Sequence, residues 1–133
     1  KLALSLHAAN DKKRNEIMPI NESNNIEALI EALNYFYKKT GNEITFEYIL
    51  FKDFNDSEKD AMELVKIYRQ VPADLINVIE YNAIDRFPFD KPDEEGFETF
   101  VEILQKNRVN VRVRRSRGKD IDAACGQLAN KDN

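Results

Sequence analysis

The sequence predicts an α/β protein of the order βαβαβαβ, with its strands parallel in one sheet. Apolar residues switch along the chain between alternating spacing and helical spacing. The helical stretches are long enough to serve as right-handed crossovers between parallel strands. No repeat, low-complexity tract or interdomain linker breaks the order, so one domain is expected over residues 1–129, followed by a frayed tail at 130–133. Four strands cannot close a barrel, and the sheet is expected to be open and doubly wound or an arc of a barrel.

From Leu2 to His7, leucines at 2, 4 and 6 alternate with Ala3, Ser5 and His7, the period of a half-polar strand with one apolar face. Apolar positions 26, 29, 30, 33, 36 and 37 follow helical spacing; Asn24 or Asn25 can cap that helix, and Gly41 sits just past its end. Ile44 to Leu50, rich in β-branched and aromatic residues, predicts the second strand, with Thr45 and Glu47 on one face as buried polar packing. Asn55-Asp56-Ser57 then offers caps for a helix running to about Arg69. Leu75 to Tyr81 predicts the third strand, Pro92 suits the first turn of a helix through Asn107, and Val109 to Arg115 predicts the fourth strand. Asn82 to Asp93, with Pro88 and Pro92, is a long turn of the kind that lines sites.

With 133 residues, 42% hydrophobic and 33% charged, the composition suits a soluble domain with one modest core. No apolar run is long enough to span a bilayer, and the amino end lacks the pattern of a secretory signal, which leads to the expectation of a cytoplasmic chain with no membrane partner. A strand begins almost at residue 1, so the chain is expected to be part of something longer. Cys125 and His7 are the only cysteine and the only histidine. They allow neither an internal disulfide nor a standard zinc site, and no metal ligand is assigned. A net charge of -4 argues against a generic nucleic-acid binder, so any RNA contact must be local.

Ligands of parallel α/β proteins gather at the carboxyl ends of the strands, where Ser5 and His7 would project from one face. A hydrogen-bonded strand-end histidine explains the same residues. Asn82 falls just past the third strand, as a reader of a purine edge or an amino acid, or as a plain turn former. Arg108, Arg112, Arg114, Arg115, Arg117 and Lys119 place six cations within twelve residues without an acid. Such a run can hold phosphates or guard a solvated edge strand. Cys125 lies between small residues, as a reactive thiol or an inert small hydrophobe.

Leu4-Ser5-Leu6-His7-Ala8, Met18-Pro19-Ile20-Asn21, Ile44-Thr45-Phe46-Glu47-Tyr48, Val113-Arg114-Arg115-Ser116-Arg117-Gly118 and Asp120 through Leu128 occur in this order. Together they resemble the RlmN/Cfr family across nearly the whole chain. The resemblance implies that the sheet is the carboxy-terminal part of a radical-SAM partial TIM-type barrel. It also implies an enzyme that methylates adenine C2 in 23S rRNA and, in many members, in tRNA. The cofactors implied are S-adenosyl-L-methionine (SAM) and a 4Fe-4S cluster whose three-cysteine ligand motif is not in this chain, so the chain alone is expected to be inactive.

By the same resemblance Ser5, Leu6 and His7 match a segment that contacts SAM, and Asn82 matches a SAM-contacting asparagine, although Ala83 follows it where members commonly have proline. Cys125 matches the cysteine that accepts a methyl group from one SAM and then carries the methylene to C2, after a radical made from a second SAM abstracts hydrogen. An upstream cysteine, absent here, would resolve the resulting adduct. A backbone clamp on RNA by Arg112, Arg114, Arg115 and Arg117 is inferred from charge. A Cfr-like enzyme acting on adenine C8 shares the cysteine motif, but the Ser5-to-Asp11 stretch favours C2. A non-catalytic RNA-binding or assembly module is the alternative of a different class. Half a barrel also leaves its first strand with an unpaired edge, which leads to the expectation of a homodimer or higher oligomer.

Overall fold

In the computed structural model, residues 1–18, 24–82 and 88–115 are described. Strands β1 (Leu2–Ser5), β2 (Ile44–Leu50), β3 (Leu75–Glu80) and β4 (Val111–Arg114) form one sheet in the order β1-β2-β3-β4, with every neighbouring pair parallel. Each crossover therefore steps to the next strand in the same direction. Right-handed crossovers of that kind stack their helices on a single face of the sheet.

Burial separates the two faces. Ile44, Phe46, Tyr48 and Leu50 on β2, with Ile76 and Val78 on β3, are fully buried. They share one cluster with Ala61, Leu64 and Val65 and with Phe97, Phe100 and Leu104 from the helices, and the rings of Tyr48 and Phe100 stack at 5.4 Å. The opposite positions Ile49, Leu75 and Ile79 are only half-buried and lie outside that cluster. The expected α/β sheet is thus present, open, with helices on one side.

Four helices are present among the described residues, one more than the sequence reading placed. Helix α1 (Asp11–Ile17) escapes an apolar-periodicity search because its sequence is Asp-Lys-Lys-Arg-Asn-Glu-Ile. It starts where the Asn10 side chain accepts from the Lys13 amide, and it is tied down by polar contacts. Lys13 Nζ reaches Asp60 at 2.8 Å, Asn10 donates to Glu63 at 2.9 Å, and Asp11 accepts from the Ile26 amide at 2.9 Å.

Helix α2 (Ile26–Thr40) has Asn25 as its cap and ends at Gly41, whose φ of 70° is the left-handed conformation glycine adopts without a Cβ clash. In the loop before α3 (Glu58–Gln70), Ser57 provides the cap, forming a reciprocal capping box with Asp60. Helix α4 (Glu94–Lys106) begins after Asp93, so Pro92 precedes the cap instead of occupying the first turn. Three strands are shorter than expected: β1 stops at Ser5, β3 at Glu80, and β4 covers only Val111–Arg114. Both β1 and β4 are edge strands, each pairing with one neighbour among the described residues.

Candidate functional site at the carboxyl end of the sheet

Beyond Ser5 the β1 backbone leaves the strand conformation, and His7 adopts a φ of 57°. The alternation that would place Ser5 and His7 on one strand face therefore ends at Ser5. Ser5 is exposed, Leu6 is fully buried in the core, and His7 is 8% exposed. The main chain here is held from several directions. The Leu6 and His7 amides donate to Glu47 O at 2.8 and 3.4 Å, and Arg14 donates to Leu6 O at 3.0 Å and Ser5 O at 3.2 Å. Asn55 donates to His7 O at 2.8 Å.

The His7 ring is fixed by the Ile49 amide, which donates to its Nδ1 at 3.0 Å. An acceptor nitrogen carries no proton, so the neutral ring has its proton on Nε2. Burial, and then the nearby Arg14 charge, lower the His7 pKa from 6.5 to about 4. At neutral pH His7 is consequently a fixed hydrogen-bond donor. Among the described residues its Nε2 has no hydrogen-bond partner, which is costly for a buried N–H and suits a site that receives an acceptor from a ligand.

Arg14 and Asn55 were invisible as site residues in the sequence. Nothing marks Arg14 among the charges of α1, and Asn55 reads equally well as a helix cap. In the structure Asn55 is fully buried: it accepts from the Phe51 amide at 2.8 Å and donates to both His7 O and Ile49 O at 2.8 Å, and its own carbonyl accepts from Tyr48 Oη at 2.9 Å.

The sheet register places a second set of polar groups on the face away from the helices. Ser5 pairs with Glu47, Glu47 with Asn77, and Asn77 with Arg112, a row across all four strands at about 4.8 Å per step. Two residues nearer the carboxyl ends, Ile49, Ile79 and Arg114 form the next row. Thr45, one step below Glu47, is buried as expected, whereas Glu47 is half-buried. Asn82 lies two residues past β3, half-buried, at the same end of the sheet as His7.

Strand alternation divides the arginines. Arg112 and Arg114 are exposed on the open face. Arg115 turns to the other side: it meets Glu80 at 3.1 Å and Glu94 at 2.7 Å, and its guanidinium lies 4.4 Å from the Phe97 ring centroid. The hydrogen bonds it donates, first to Glu94 and then to Glu80, raise its pKa. Arg117 and Cys125 lie outside the described residues, as does part of the turn between Asn82 and Asp93. A hollow of about 620 Å³ is lined by α3 alone, between Lys59 and Gln70, and includes none of these groups.

No cluster of His, Cys, Asp and Glu suited to a metal occurs among the described residues, and a sequence with one cysteine lacks a three-cysteine cluster motif. The residues present do not fit an iron-sulfur cluster. The His7 donor and exposed Ser5 are polar groups of the kind that a polar ligand takes up. No helix among the described residues is long and apolar enough to cross a membrane.

An open parallel sheet with polar groups at the carboxyl ends of its strands is the part of an α/β fold where ligands gather. No family model matches the chain. It is 53% identical to a protein of Cytophaga hutchinsonii named probable dual-specificity RNA methyltransferase RlmN, over 99% of this chain and 36% of that protein. A protein of the same name from Christiangramia forsetii is 52% identical over 98% of this chain and 37% of its own length. The crystal structure of a radical SAM methyltransferase from Sphaerobacter thermophilus superposes with a TM-score of 0.82 at 40% identity, covering 96% of this chain and 37% of that one. A domain of pyruvate-formate lyase-activating enzyme from Bacteroides vulgatus, at 14% identity and a TM-score of 0.66, shares the fold. The chain is thus similar to a segment of these RlmN-named proteins and of that methyltransferase, and it spans little more than a third of the relatives it matches.

Proposed function

We propose that the chain is the carboxy-terminal part of a cytoplasmic radical-SAM methyltransferase that modifies adenine C2 in 23S rRNA and in tRNA, and that it is inactive without the remainder of the polypeptide. The observation that carries this reading is the 53% identity to an RlmN-named protein over 99% of the chain. The fixed donor at His7 and the polar open face support it. Bound SAM would supply the methyl group and, with a 4Fe-4S cluster held by residues outside this chain, the hydrogen-abstracting radical.

In this reading His7 offers Nε2–H to an acceptor on SAM, Ser5 and Asn82 hold further polar groups, and buried Leu6 sets the spacing between Ser5 and His7. Cys125 takes the methyl group and presents it to the base. Adenine C2 is electron-poor, so a thiol carrier followed by radical addition avoids the need for a carbon nucleophile on the base. Arg112 and Arg114, with Arg117, contact phosphates of an unstacked RNA segment. Arg115, assigned to the same clamp by charge, contributes mainly by holding the end of β4.

The test is the mass of the Cys125 peptide from the full-length protein, purified without oxygen and reconstituted with iron, sulfide and SAM. One added CH2 unit on Cys125, absent in Cys125→Ala, is the expected result. An unmodified thiol beside an intact cluster would overturn the carrier role. Conversion of adenine to its 8-methyl product, instead of the 2-methyl product, would overturn the C2 assignment.

A further inference from the structure

Three successive carbonyls, those of Ser5, Leu6 and His7, each accept from a side chain outside the strand. Arg14 serves the first two, at 3.2 and 3.0 Å, and Asn55 serves the third at 2.8 Å. Both donors are buried, Arg14 at 4% exposure and Asn55 at 0%. An arginine withdrawn this far from water is costly unless its donors are used, and an amide with all its groups satisfied is a rigid link. Neither side chain has a place in the chemistry proposed above.

We propose that Arg14 and Asn55 are positioning residues for ligand binding, acting through the Ser5-Leu6-His7 segment. The inference rests on the functional reading above, in which that segment contacts SAM. The need for such a frame follows from local geometry. The chain leaves β1 after Ser5 and passes through a left-handed residue at His7, with only the Leu6 and His7 amides still bonded to Glu47 O of the neighbouring strand. A non-glycine residue in that conformation persists when its surroundings over-determine it. Arg14 grips the segment from α1, and Asn55 grips it from the loop between β2 and α3.

The frame is itself braced. Asp60, 2% exposed, accepts from Ser57 through one carboxylate oxygen and from Lys13 Nζ through the other. Helix α1, too short and too polar to hold itself by core packing, is thereby held against α3 with Arg14 one residue further along. On the other side, the Asn55 amide also donates to Ile49 O, while the Ile49 amide donates to the His7 ring. Asn55, which holds the His7 carbonyl, thus also holds the strand position whose amide sets the ring tautomer. Loss of either grip would release the Nε2 donor from its position before any ligand arrives.

The experiment is SAM binding by calorimetry on full-length protein, at a temperature where every variant is folded by circular dichroism. Arg14→Met removes both donors and is expected to weaken binding about tenfold, and Arg14→Lys, which keeps a charge and one donor direction, is expected to fall between it and wild type. Asn55→Ser, on the opposite side of the segment, is expected to weaken binding by a similar factor and keeps the test available if an Arg14 variant does not fold. Leu104→Ala, which hollows the core under α4, is the control for stability alone and is expected to keep wild-type affinity despite a lowered melting temperature. Wild-type affinity in folded Arg14→Met or Asn55→Ser, or an equal loss in Leu104→Ala, would overturn the positioning role. Absence of SAM binding by the reconstituted wild-type protein would sink the functional reading and this inference together. Binding by wild type with unchanged variants would sink the inference alone.

Discussion

Nδ1 of His7 accepts the Ile49 amide at 3.0 Å, so the only histidine of the chain is tied by its ring to β2, an inner strand of the sheet. The consequence is a stability that depends on pH. The folded pKa of about 4 lies below the ordinary 6.5, so between these values the unfolded chain binds more protons than the folded one, and stability falls as pH falls through that window. The full shift corresponds to about 3 kcal/mol. Urea unfolding at pH 7 and pH 4 should show His7→Gln losing less stability on acidification than wild type. Equal losses would show that the ring is not buried in its neutral form.

Arg115 is predicted to matter for folding more than for RNA. Its partner Glu80 has a side chain 3% exposed, and removing the guanidinium would leave that carboxylate buried beside the more distant Lys91 at 3.9 Å. Because Arg115 is itself partly exposed, the cost of Arg115→Met should be about 2 kcal/mol, below the range for a fully buried pair. The double variant Glu80→Met/Arg115→Met should recover most of it in denaturant titrations. A silent Arg115→Met would show the pair to be incidental.

For Arg112 and Arg114 the opposite is expected. Both are exposed on the open face, and neither has a hydrogen-bond or ion-pair partner among the described residues. Alanine at either position should leave the melting temperature unchanged, weaken RNA binding by the full-length protein, and reduce the salt slope of log affinity by about 0.7–0.9. Fluorescence titration over a range of salt concentrations reads this directly. An unchanged slope would place the phosphate contacts elsewhere.

The two edges of the sheet give a prediction for the isolated chain. The β1 edge offers unpaired backbone groups of the kind that recruit another strand, and the open face carries half-buried Ile49 and Ile79. Sedimentation at tens of micromolar is expected to show a dimer or larger species. A monomer would mean that the edge and face are protected within one chain.

Much of this was legible without coordinates. Helical spacing from Ile26 to Tyr37, capped by Asn25 and closed by Gly41, and the β-branched and aromatic run of β2 are local patterns, and local patterns are what a sequence displays. Alternation along β4 even contains the separation of Arg115 from Arg112 and Arg114, since odd and even positions face opposite ways. The charge run, read as a run, conceals it. Helix α1 was not legible, because its stability comes from Lys13, Asn10 and Asp11 reaching partners 15 to 53 residues away instead of from an apolar stripe.

What the sequence by itself determined was the parallel α/β order, the family resemblance and the candidate groups Ser5, His7 and Asn82. Tertiary structure decided how the first two are presented. The end of β1 depends on Arg14 and Asn55 satisfying three consecutive carbonyls, and the charge state of His7 depends on its burial and on the Ile49 amide. Those are interactions between segments that meet only when the chain folds, and no periodicity in the chain encodes them.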